Sequence, residues 1–296
     1  MKPVLSYVMT TYNKLPYLKQ VAKRLIANKK ADEEIIIADG GSKDGTVEFL
    51  KELHEQGHIA AWVSAPDAGE SHGTNRGVLM SSGEIIKIVT DDDAFSFDNI
   101  ARCRKFMLDN SELDLMGTDG ASVYWSRAEP FGRSNYKKHY DLWKRNHKPF
   151  GFCGLGWFIR RSSLPLLGLF NTNYIRMDAE YSLRATAGKA KLGWFTGPTW
   201  VRIVNPLSGA VTKKHKIAEE TKKLNQLYGI EVDDMTFTLK VKSYFHPVKR
   251  YIKSVSRKFG PIPVPRYTPD PETAFKICDE WILTANAKEH GEFLKP

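Results

Sequence analysis

Three consecutive aspartates, Asp91, Asp92 and Asp93, directly follow an apolar run at residues 85–89. Carboxylates at this spacing repel one another, so it is costly to gather them at a strand end unless a positive group is bound between them. A divalent cation meets that need. Oxygen ligands without a nearby cysteine favour magnesium or manganese, which proteins hold through one or two carboxylates and substrate phosphates. The triplet is also typical of a solvated loop, but its place after a buried strand favours a metal site.

Polar segments also follow the first three apolar runs of the chain. They are Thr10-Thr11-Tyr12-Asn13, Asp39-Gly40-Gly41-Ser42 and Pro66-Asp67-Ala68-Gly69. In open α/β sheets, ligands bind outside the carboxyl ends of the strands, so these segments and the aspartate triplet are expected to form one site. The glycine-rich segment after Asp39 lacks both the GxGxxG and the GxxxxGKS/T patterns. The sequence therefore supports neither a dinucleotide-binding fold nor a P-loop.

The elements that must position these segments alternate between strands and helices. Strands are predicted at residues 4–9, 34–38, 59–64 and 85–89, and helices at residues 15–27, 46–56 and 71–81. Such alternation implies a parallel sheet covered by helices. Beyond residue 100 the pattern becomes irregular and aromatic, and further helices are predicted near residues 213–227 and 273–285. The sequence thus predicts an α/β domain at residues 1–210 and a basic helical extension at residues 211–296.

The order and spacing of these motifs resemble those of family 2 glycosyltransferases with the GT-A fold. Beyond the strand ends, the resemblance includes Ser42-Lys43-Asp44-Gly45-Thr46, Asn75-Arg76-Gly77, Ser82-Gly83-Glu84, Gly168-Leu169-Phe170-Asn171 and residues 177–184. It covers residues 3–205 and leaves the tail outside. It implies a GT-A nucleotide-binding fold with a mostly parallel central sheet. It also implies an inverting transfer of a sugar from a nucleoside-diphosphate sugar, with UDP favoured, to a hydroxyl of a glycan or glycolipid.

The resemblance assigns the donor side of the site. It places the nucleotide-sugar among Thr10, Tyr12, Asn13, Asp39, Asp67, Arg76, Asp91 and Asp92. It implies Mn²⁺ or Mg²⁺ as the cofactor, with Asp91, Asp93 and His215 as ligands. Relatives often carry an aspartate at the position of Thr90, so the metal-binding motif can also be framed one residue earlier. His215 stands among lysines, a setting that is also typical of an exposed surface.

The resemblance assigns the acceptor side as well. Asp178 is the candidate general base, and Glu180, two residues later, is the reserve base. Trp157 is predicted to form a wall of the acceptor pocket, because flat side chains stack on sugar faces, although a place in the core is an equal alternative. His72, where relatives commonly carry an aspartate, is assigned to the same side.

The positive charge of the chain is concentrated in one segment. The formal net charge is +10, but residues 235–268 contain eight lysines and arginines and no acidic residue, which leaves only +2 for the rest. The main domain is therefore not expected to bind nucleic acid. The 3 cysteines are widely spaced and form no CxxC pair, which argues against a disulfide framework or a zinc knuckle and predicts reduced thiols in the cytosol.

The basic segment at residues 235–268 also has an apolar helical face. Val248, Ile252, Val255 and Phe259 recur at helical spacing, and the lysines and arginines fall elsewhere. This pattern predicts an interfacial helix that binds an anionic membrane surface, although a helix packed on the domain gives the same pattern. Because no signal peptide or spanning segment is recognisable, a cytoplasmic protein is expected, peripheral on the inner face of the cytoplasmic membrane if the helix binds lipid.

Two other functions are compatible with parts of the sequence. A nucleotidyltransferase also uses a nucleotide-binding α/β domain, but a phosphate loop rich in glycine and basic residues is expected after its first strand. Thr10-Thr11-Tyr12-Asn13 is not such a loop. A non-catalytic module that binds a nucleotide or a membrane surface would use the tail, but it leaves the carboxylates at the strand ends unexplained.

Overall fold

The first third of the chain alternates regularly between strand and helix. A computed structural model of the protein describes residues 2–125, 127–188, 190–204, 214–230 and 269–296. Its first elements are β1 (Leu5–Thr11), α1 (Leu15–Asn28), β2 (Glu33–Asp39), α2 (Thr46–Glu55), β3 (Ala61–Ser64), α3 (Glu70–Met80) and β4 (Ile85–Thr90). Strand β1 pairs in parallel with β2 and β4, and β2 pairs in parallel with β3. The predicted strands, helices and parallel pairing are confirmed.

The remaining elements extend this sheet and add a smaller one. They are β5 (Ala94–Phe95), α4 (Phe97–Asp109), β6 (Leu115–Thr118), β7 (Gly120–Val123), β8 (Phe131–Ser134), α5 (Lys137–Asn146), β9 (Phe158–Arg160), α6 (Leu164–Leu167), α7 (Met177–Ala187), β10 (Leu192–Phe195), β11 (Trp200–Ile203), α8 (Lys214–Leu227), α9 (Pro271–Lys288) and β12 (Phe293–Leu294). Among the described residues, the larger sheet has the order β12-β10-β6-β9-β4-β1-β2-β3, and the smaller has the order β5-β11-β7-β8. Strands β9 and β12 pair antiparallel with their neighbours. The other strand pairs of the larger sheet are parallel, so the central sheet is mostly parallel, as predicted.

Burial on both faces explains the composition of the central strands. The isoleucines of β2 at positions 35–37 are almost fully buried, as expected for a parallel strand covered by helices on both sides. Helix α1 buries Leu18, Val21 and Leu25 on one face, and Pro16 occupies its first turn, where a missing N–H costs nothing. The first half of the sheet is therefore a rigid base for the segments at its strand ends.

The aromatic region beyond residue 100 forms a second core. Trp157 is fully buried and stacks on Phe170, with 5.6 Å between ring centroids, while Tyr181 lies 5.0 Å away. Trp194 and Phe152 also pack together in this region, with 5.0 Å between their ring centroids. The predicted role of Trp157 as a pocket wall is wrong, because a wall residue must present a face to the ligand. The alternative, a core tryptophan, is what the structure shows.

The end of the chain packs on the main domain. Ala274, Phe275 and Cys278 of α9 are buried in the main hydrophobic core, and Trp281 stacks on Phe131 at 4.9 Å. Strand β12 joins the larger sheet beside β10. Residues 271–294 are therefore not a separate extension, which corrects that part of the predicted division at residue 210, because their apolar side chains complete the core. The predicted interfacial helix within residues 235–268 lies outside the described residues. No helix in the described part is long and apolar enough to cross a membrane.

Candidate active site

The carboxyl ends of β1, β2, β3 and β4 meet at one end of the larger sheet. In the parallel register, Thr11 pairs with Asp39 and Thr10 with Thr90. Asp39 pairs in turn with Ser64 at the end of β3. The polar segments that follow these strands are therefore neighbours in space, as the sequence predicts.

The side chain of Asp39 holds the loop after β2 in place through hydrogen bonds. Its side chain is fully buried, and it accepts hydrogen bonds from the backbone N–H groups of Gly41 (3.1 Å) and Ser42 (2.9 Å). The hydroxyls of Ser64 (2.6 Å) and Ser42 also donate to it. The loop turns at Gly41, whose φ of 86° suits a residue without a side chain. Asp39 thus fixes the shape of this part of the site, and the base contact implied by the resemblance stays a prediction.

Tyr12 and Asp67 both lie against Gly40, and Asp67 also lies against Gly73 together with Thr10. A methyl group built on Gly40 would lie 3.1 Å from Asp67 Oδ2 and 3.3 Å from the Tyr12 ring. One built on Gly73 would lie 2.9 Å from Thr10 and 3.1 Å from the same Asp67 oxygen. Tyr12 is 60% exposed, which is unusual for a large aromatic side chain at the end of a buried strand. The structure therefore brings Thr10, Tyr12 and Asp67 together around a surface on which a flat ring can stack.

Asn13, Arg76 and His72 are engaged with the backbone of neighbouring loops. Asn13 accepts a hydrogen bond from Lys43 N–H (2.8 Å). The Arg76 guanidinium donates to two carbonyl oxygens of the loop at residues 65–69, at 2.9 and 3.1 Å. His72 Nδ1 accepts from a backbone N–H of the same loop (3.1 Å), so a neutral His72 carries its proton on Nε2. All three hold the loops that surround the Tyr12–Asp67 surface, and their direct ligand contacts stay predictions.

Lys14, which the sequence analysis did not single out, contacts the aspartate triplet. Its Nζ lies 3.2 Å from Asp91 Oδ1 and 2.6 Å from Asp92 Oδ2. Burial alone would lower the pKa of Lys14, but the charges of Asp91 and Asp92 raise it above its ordinary value. The signal in the sequence was a lysine immediately after a strand-end motif, at the position where a helix normally has a small capping residue.

Asp93 has hydrogen-bond partners of its own. One of its oxygens accepts from the Ile203 N–H (2.7 Å) and the other from the Thr90 hydroxyl (2.7 Å). Burial and the charge of Asp92 raise the pKa of Asp93 to about 8, and the same two causes raise the pKa of Asp91 to about 6. Asp91 and Asp92 share Lys14 as a partner, and the predicted pairing of Asp91 with Asp93 as metal ligands stays a prediction.

The side chains of Asp91 and Asp92 are suitable ligands for a divalent cation. Asp91 and Asp92 are hard carboxylates whose charge exceeds that of Lys14, and magnesium or manganese commonly takes one or two carboxylates together with substrate phosphates. Within the described ranges, no three His, Cys, Asp or Glu side chains are grouped to hold a metal ion by themselves. His215 lies on the exposed first turn of α8 and joins no such group, so its role as a ligand stays a prediction that the structure does not support.

Asp178 lies in the first turn of α7, where it lines a cavity of about 460 Å³. Its side chain is half-buried and accepts from the Ala179 N–H (2.7 Å). The helix dipole stabilises a carboxylate at this end of a helix. Other residues that line the cavity are Tyr136, His139, Phe150, Phe152, Arg176 and Leu183. Among the described residues that line this largely apolar cavity, Asp178 is the one that carries a carboxylate.

Glu180 is held in the interior by an arginine. It is 4% exposed, and its two oxygens accept from Arg184 Nε (2.7 Å) and Nη2 (3.1 Å). Arg184 also donates to the carbonyl oxygens of Leu167 and Leu169, the latter at 2.9 Å. Glu180 therefore connects α7 to the loop after α6, and its proposed role as reserve base is corrected, because a paired, buried carboxylate does not face the cavity.

Glu70 adds another carboxylate that the sequence analysis missed. It is the first residue of α3, its side chain is exposed, and the neighbouring Ser71 hydroxyl donates to the Tyr174 carbonyl (3.1 Å) in the segment before α7. Desolvation and the charge of Asp178 raise the pKa of Glu70 above its ordinary value. Asp91 and Asp92 act on the pKa of Glu70 in the same direction, so Glu70 lies within electrostatic reach of these carboxylates as well.

Helix α8 fixes the segment that leads into α7. The Glu220 carboxylate accepts from the backbone N–H groups of Ile175 (3.0 Å) and Arg176 (2.9 Å). Arg176 returns a hydrogen bond to the Thr221 hydroxyl (2.8 Å). Two N–H groups that precede a helix would otherwise lack partners, so one carboxylate of α8 sets where α7 and Asp178 begin.

Replacing Glu220 by alanine should therefore lower the free energy of unfolding. We expect a loss of about 1–3 kcal/mol, the usual cost of removing a charged acceptor from two N–H donors. Urea denaturation of Glu220→Ala measures it, and Glu219→Ala is the matched control, because Glu219 is exposed on the same helix. Equal losses in both variants would show that helix propensity, not the contact with residues 175–176, determines the effect.

The family model described as glycosyl transferase family 2 matches residues 6–167, which is more than half of the chain. The chain belongs to glycosyltransferase family 2. This family 2 chain is similar to a PGL/p-HBAD biosynthesis glycosyltransferase of Mycobacterium tuberculosis, with 25% identity over 198 residues that cover 64% of this chain and 72% of that protein.

Two solved structures show that the family 2 chain has the GT-A fold. The mannosyltransferase PcManGT from Pyrobaculum calidifontis, in complex with GDP-Man and Mn²⁺, matches with a TM-score of 0.56 and 18% identity over 97% of this chain and 87% of that one. Staphylococcus aureus TarS 1–349, in complex with UDP-GlcNAc, matches with a TM-score of 0.55 and 14% identity over 71% of this chain and 61% of that one. Some curated relatives are much longer, and the chain spans 20% of the length of one and 12% of another.

Proposed function

We propose that the protein transfers a sugar from a nucleoside-diphosphate sugar to an acceptor hydroxyl, with inversion at the anomeric carbon. The observation that carries the proposal is the position of Asp178. It lines the cavity of about 460 Å³ at the start of α7, and Ser71 at the start of α3 donates to the Tyr174 carbonyl just before that helix. Asp178 thus lines a separate, largely apolar cavity close to the helix that follows the nucleotide-type strand ends, as a transfer between two substrates requires.

The donor nucleotide is assigned to the strand-end side of this arrangement. The exposed Tyr12 ring offers a stacking surface for the base, and Asp67 Oδ2 lies beside it. TarS and PcManGT are described in complex with a uridine and a guanosine nucleotide, respectively. We favour UDP, on the resemblance of the motifs in residues 10–93 to those of family 2 enzymes.

Asp91 and Asp92 would hold the divalent cation, Mn²⁺ or Mg²⁺. When bound, such an ion stabilises the negative charge of the departing diphosphate. Lys14 contacts the same two carboxylates and brings a further positive charge to that side of the site. PcManGT, described in complex with Mn²⁺, supports this choice of cofactor.

Asp178 is proposed to accept the proton of the acceptor hydroxyl as that oxygen attacks the anomeric carbon. A general base in this position contributes about 10²- to 10⁴-fold to the rate. The buried pair of Glu180 and Arg184 anchors α7, and the rings of Phe150 and Phe152 at the cavity wall exclude water from the acceptor. We assign the cavity to a glycan or a lipid-linked acceptor.

A nucleotide titration tests the proposal. UDP, GDP and dTDP are titrated separately into the protein by calorimetry, with manganese and with EDTA. Manganese-dependent binding of one of them supports a nucleotide-sugar enzyme, and proton NMR of the product formed from the matching donor then reports the anomeric configuration. If none of the three nucleotides binds, the strand-end site does not hold a nucleotide, and a non-catalytic module becomes the better account.

Residues 235–268 are proposed to place the enzyme on an anionic membrane surface, which suits a lipid-linked acceptor on the inner face of the cytoplasmic membrane. The eight basic residues and the apolar face of this segment support the proposal. Flotation with anionic vesicles should carry the protein upward at low salt and less so at high salt, whereas neutral vesicles should not. Equal flotation with both kinds of vesicle, or with neither, would contradict the proposal.

A further inference from the structure

Lys14 occupies a position at the start of a helix where a lysine is unfavourable. It is the N-cap residue of α1, where Ser, Thr, Asp and Asn are preferred, and it makes no capping hydrogen bond through its side chain. Its charge also stands at the positive end of the helix dipole, and the first turn of α1 contains no acidic residue to offset it. A lysine here needs a compensating interaction elsewhere.

Asp44 takes over the capping role that Lys14 leaves open. Its carboxylate, in the loop before α2, accepts from the backbone N–H of Leu15 at the start of α1 (2.9 Å). The Lys14 ammonium has no acceptor with which to cap the helix, and its side chain extends instead toward the end of β4. There it pairs with Asp91 and Asp92 at 3.2 and 2.6 Å. The compensating interaction is therefore the acidic pair.

The pair that Lys14 contacts is also the pair that we assign to the divalent cation. The two aspartates have side chains that are only 6% and 9% exposed, and that of Lys14 is 22% exposed. Two positive groups cannot both lie within contact distance of these carboxylates without strong mutual repulsion, because the interaction is poorly screened by water at such a site. Binding of the cation must therefore weaken the Lys14 contacts.

We propose that Lys14 is a resident counter-ion that competes with the divalent cation for Asp91 and Asp92, so that the protein without nucleotide binds the metal weakly. The inference rests on the proposed function in taking these aspartates as the metal ligands. A negatively charged nucleotide offers Lys14 another partner. Metal and nucleotide consequently bind with positive coupling, and by linkage each increases the affinity for the other to the same extent.

Binding of Mn²⁺ measured by electron paramagnetic resonance tests this competition without any measurement of activity. In the absence of nucleotide, Lys14→Met should bind Mn²⁺ about tenfold more tightly than the wild type, since it lacks the competing charge. Lys14→Arg keeps the charge and should bind as weakly as the wild type. Lys43→Met is the control, because Lys43 lies exposed on the neighbouring loop. Saturating UDP should raise the Mn²⁺ affinity of the wild type more than that of Lys14→Met.

Unchanged or weaker Mn²⁺ binding in Lys14→Met, with wild-type circular dichroism and melting, would overturn the competition. Lys14→Gln provides the same comparison if the methionine variant does not fold. The two proposals fail separately. If the wild type binds UDP with manganese but Lys14→Met shows no gain in Mn²⁺ affinity, only the role of Lys14 is lost. If Lys14→Met shows the gain while no nucleotide binds to the wild type, the competition stands and the glycosyltransferase site is misassigned.

Discussion

The Asp178→Asn variant is expected to retain nucleotide binding and to lose turnover by about 10²- to 10⁴-fold, the usual contribution of a general base. The substitution keeps the size of the side chain and its place in the first turn of α7, but asparagine cannot accept the acceptor proton. The proposed donor contacts lie at the ends of β1 to β4, away from α7, and should not change. Steady-state kinetics with the identified donor, together with the Kd for the nucleotide, separate the two effects.

Glu180→Gln is the control variant for this prediction. Glu180 pairs with Arg184 in the interior, so its neutral variant should lose stability and keep most of its kcat per folded molecule. Wild-type turnover in Asp178→Asn together with an inactive, folded Glu180→Gln would exchange the roles of the two carboxylates.

The second large effect concerns the aspartate pair. Asp91→Asn should weaken manganese-dependent binding of the nucleotide by about 100-fold, because a neutral amide is a poor ligand for a hard divalent cation. Binding in EDTA should change much less, since the metal does not contribute there. Calorimetric titrations of the nucleotide with manganese and with EDTA give both numbers from one preparation.

The Asp93→Asn variant tests whether Asp93 or Asp91 is the metal ligand. Its carboxylate accepts from the Ile203 N–H and the Thr90 hydroxyl, so this variant should lose stability but retain manganese-dependent binding. Asp98→Asn, an exposed aspartate at the start of α4, is the control for the loss of charge alone. If Asp93→Asn abolished the manganese dependence and Asp91→Asn preserved it, Asp93 and not Asp91 would be the ligand.

Much of the donor half of the molecule is predictable from the sequence. Each strand from β1 to β4 is an apolar run that ends in polar residues, and each is followed by a segment with helical spacing. Parallel strands bring their carboxyl ends together, so the meeting of Tyr12, Asp67 and the aspartate triplet follows from the order of elements alone. The predicted strand and helix bounds differ from the structure by only a few residues.

The parts that could not be predicted depend on contacts between distant segments. Strand β9 contains three residues and lies antiparallel between β4 and β6, and a run so short has no readable period. Residues such as Trp157 and Glu180 can face a cavity or the interior with equal ease, and only the packing of Phe170 and Arg184 decides between the two. The hydrogen bond that Asp93 accepts likewise comes from Ile203, more than a hundred residues away in the sequence.

The packing of α9 has a consequence for how the protein folds during synthesis. Arg24 of α1 pairs with Asp279 of α9 across a sequence separation of 255 residues, and Phe275 fills the core beneath the Arg24 guanidinium. Until α9 has left the ribosome, the nascent N-terminal half lacks part of its core and leaves the matching apolar surface open. Contacts of such long range slow folding and lengthen exposure to aggregation. The nascent chain should therefore complete this core only after α9 has emerged.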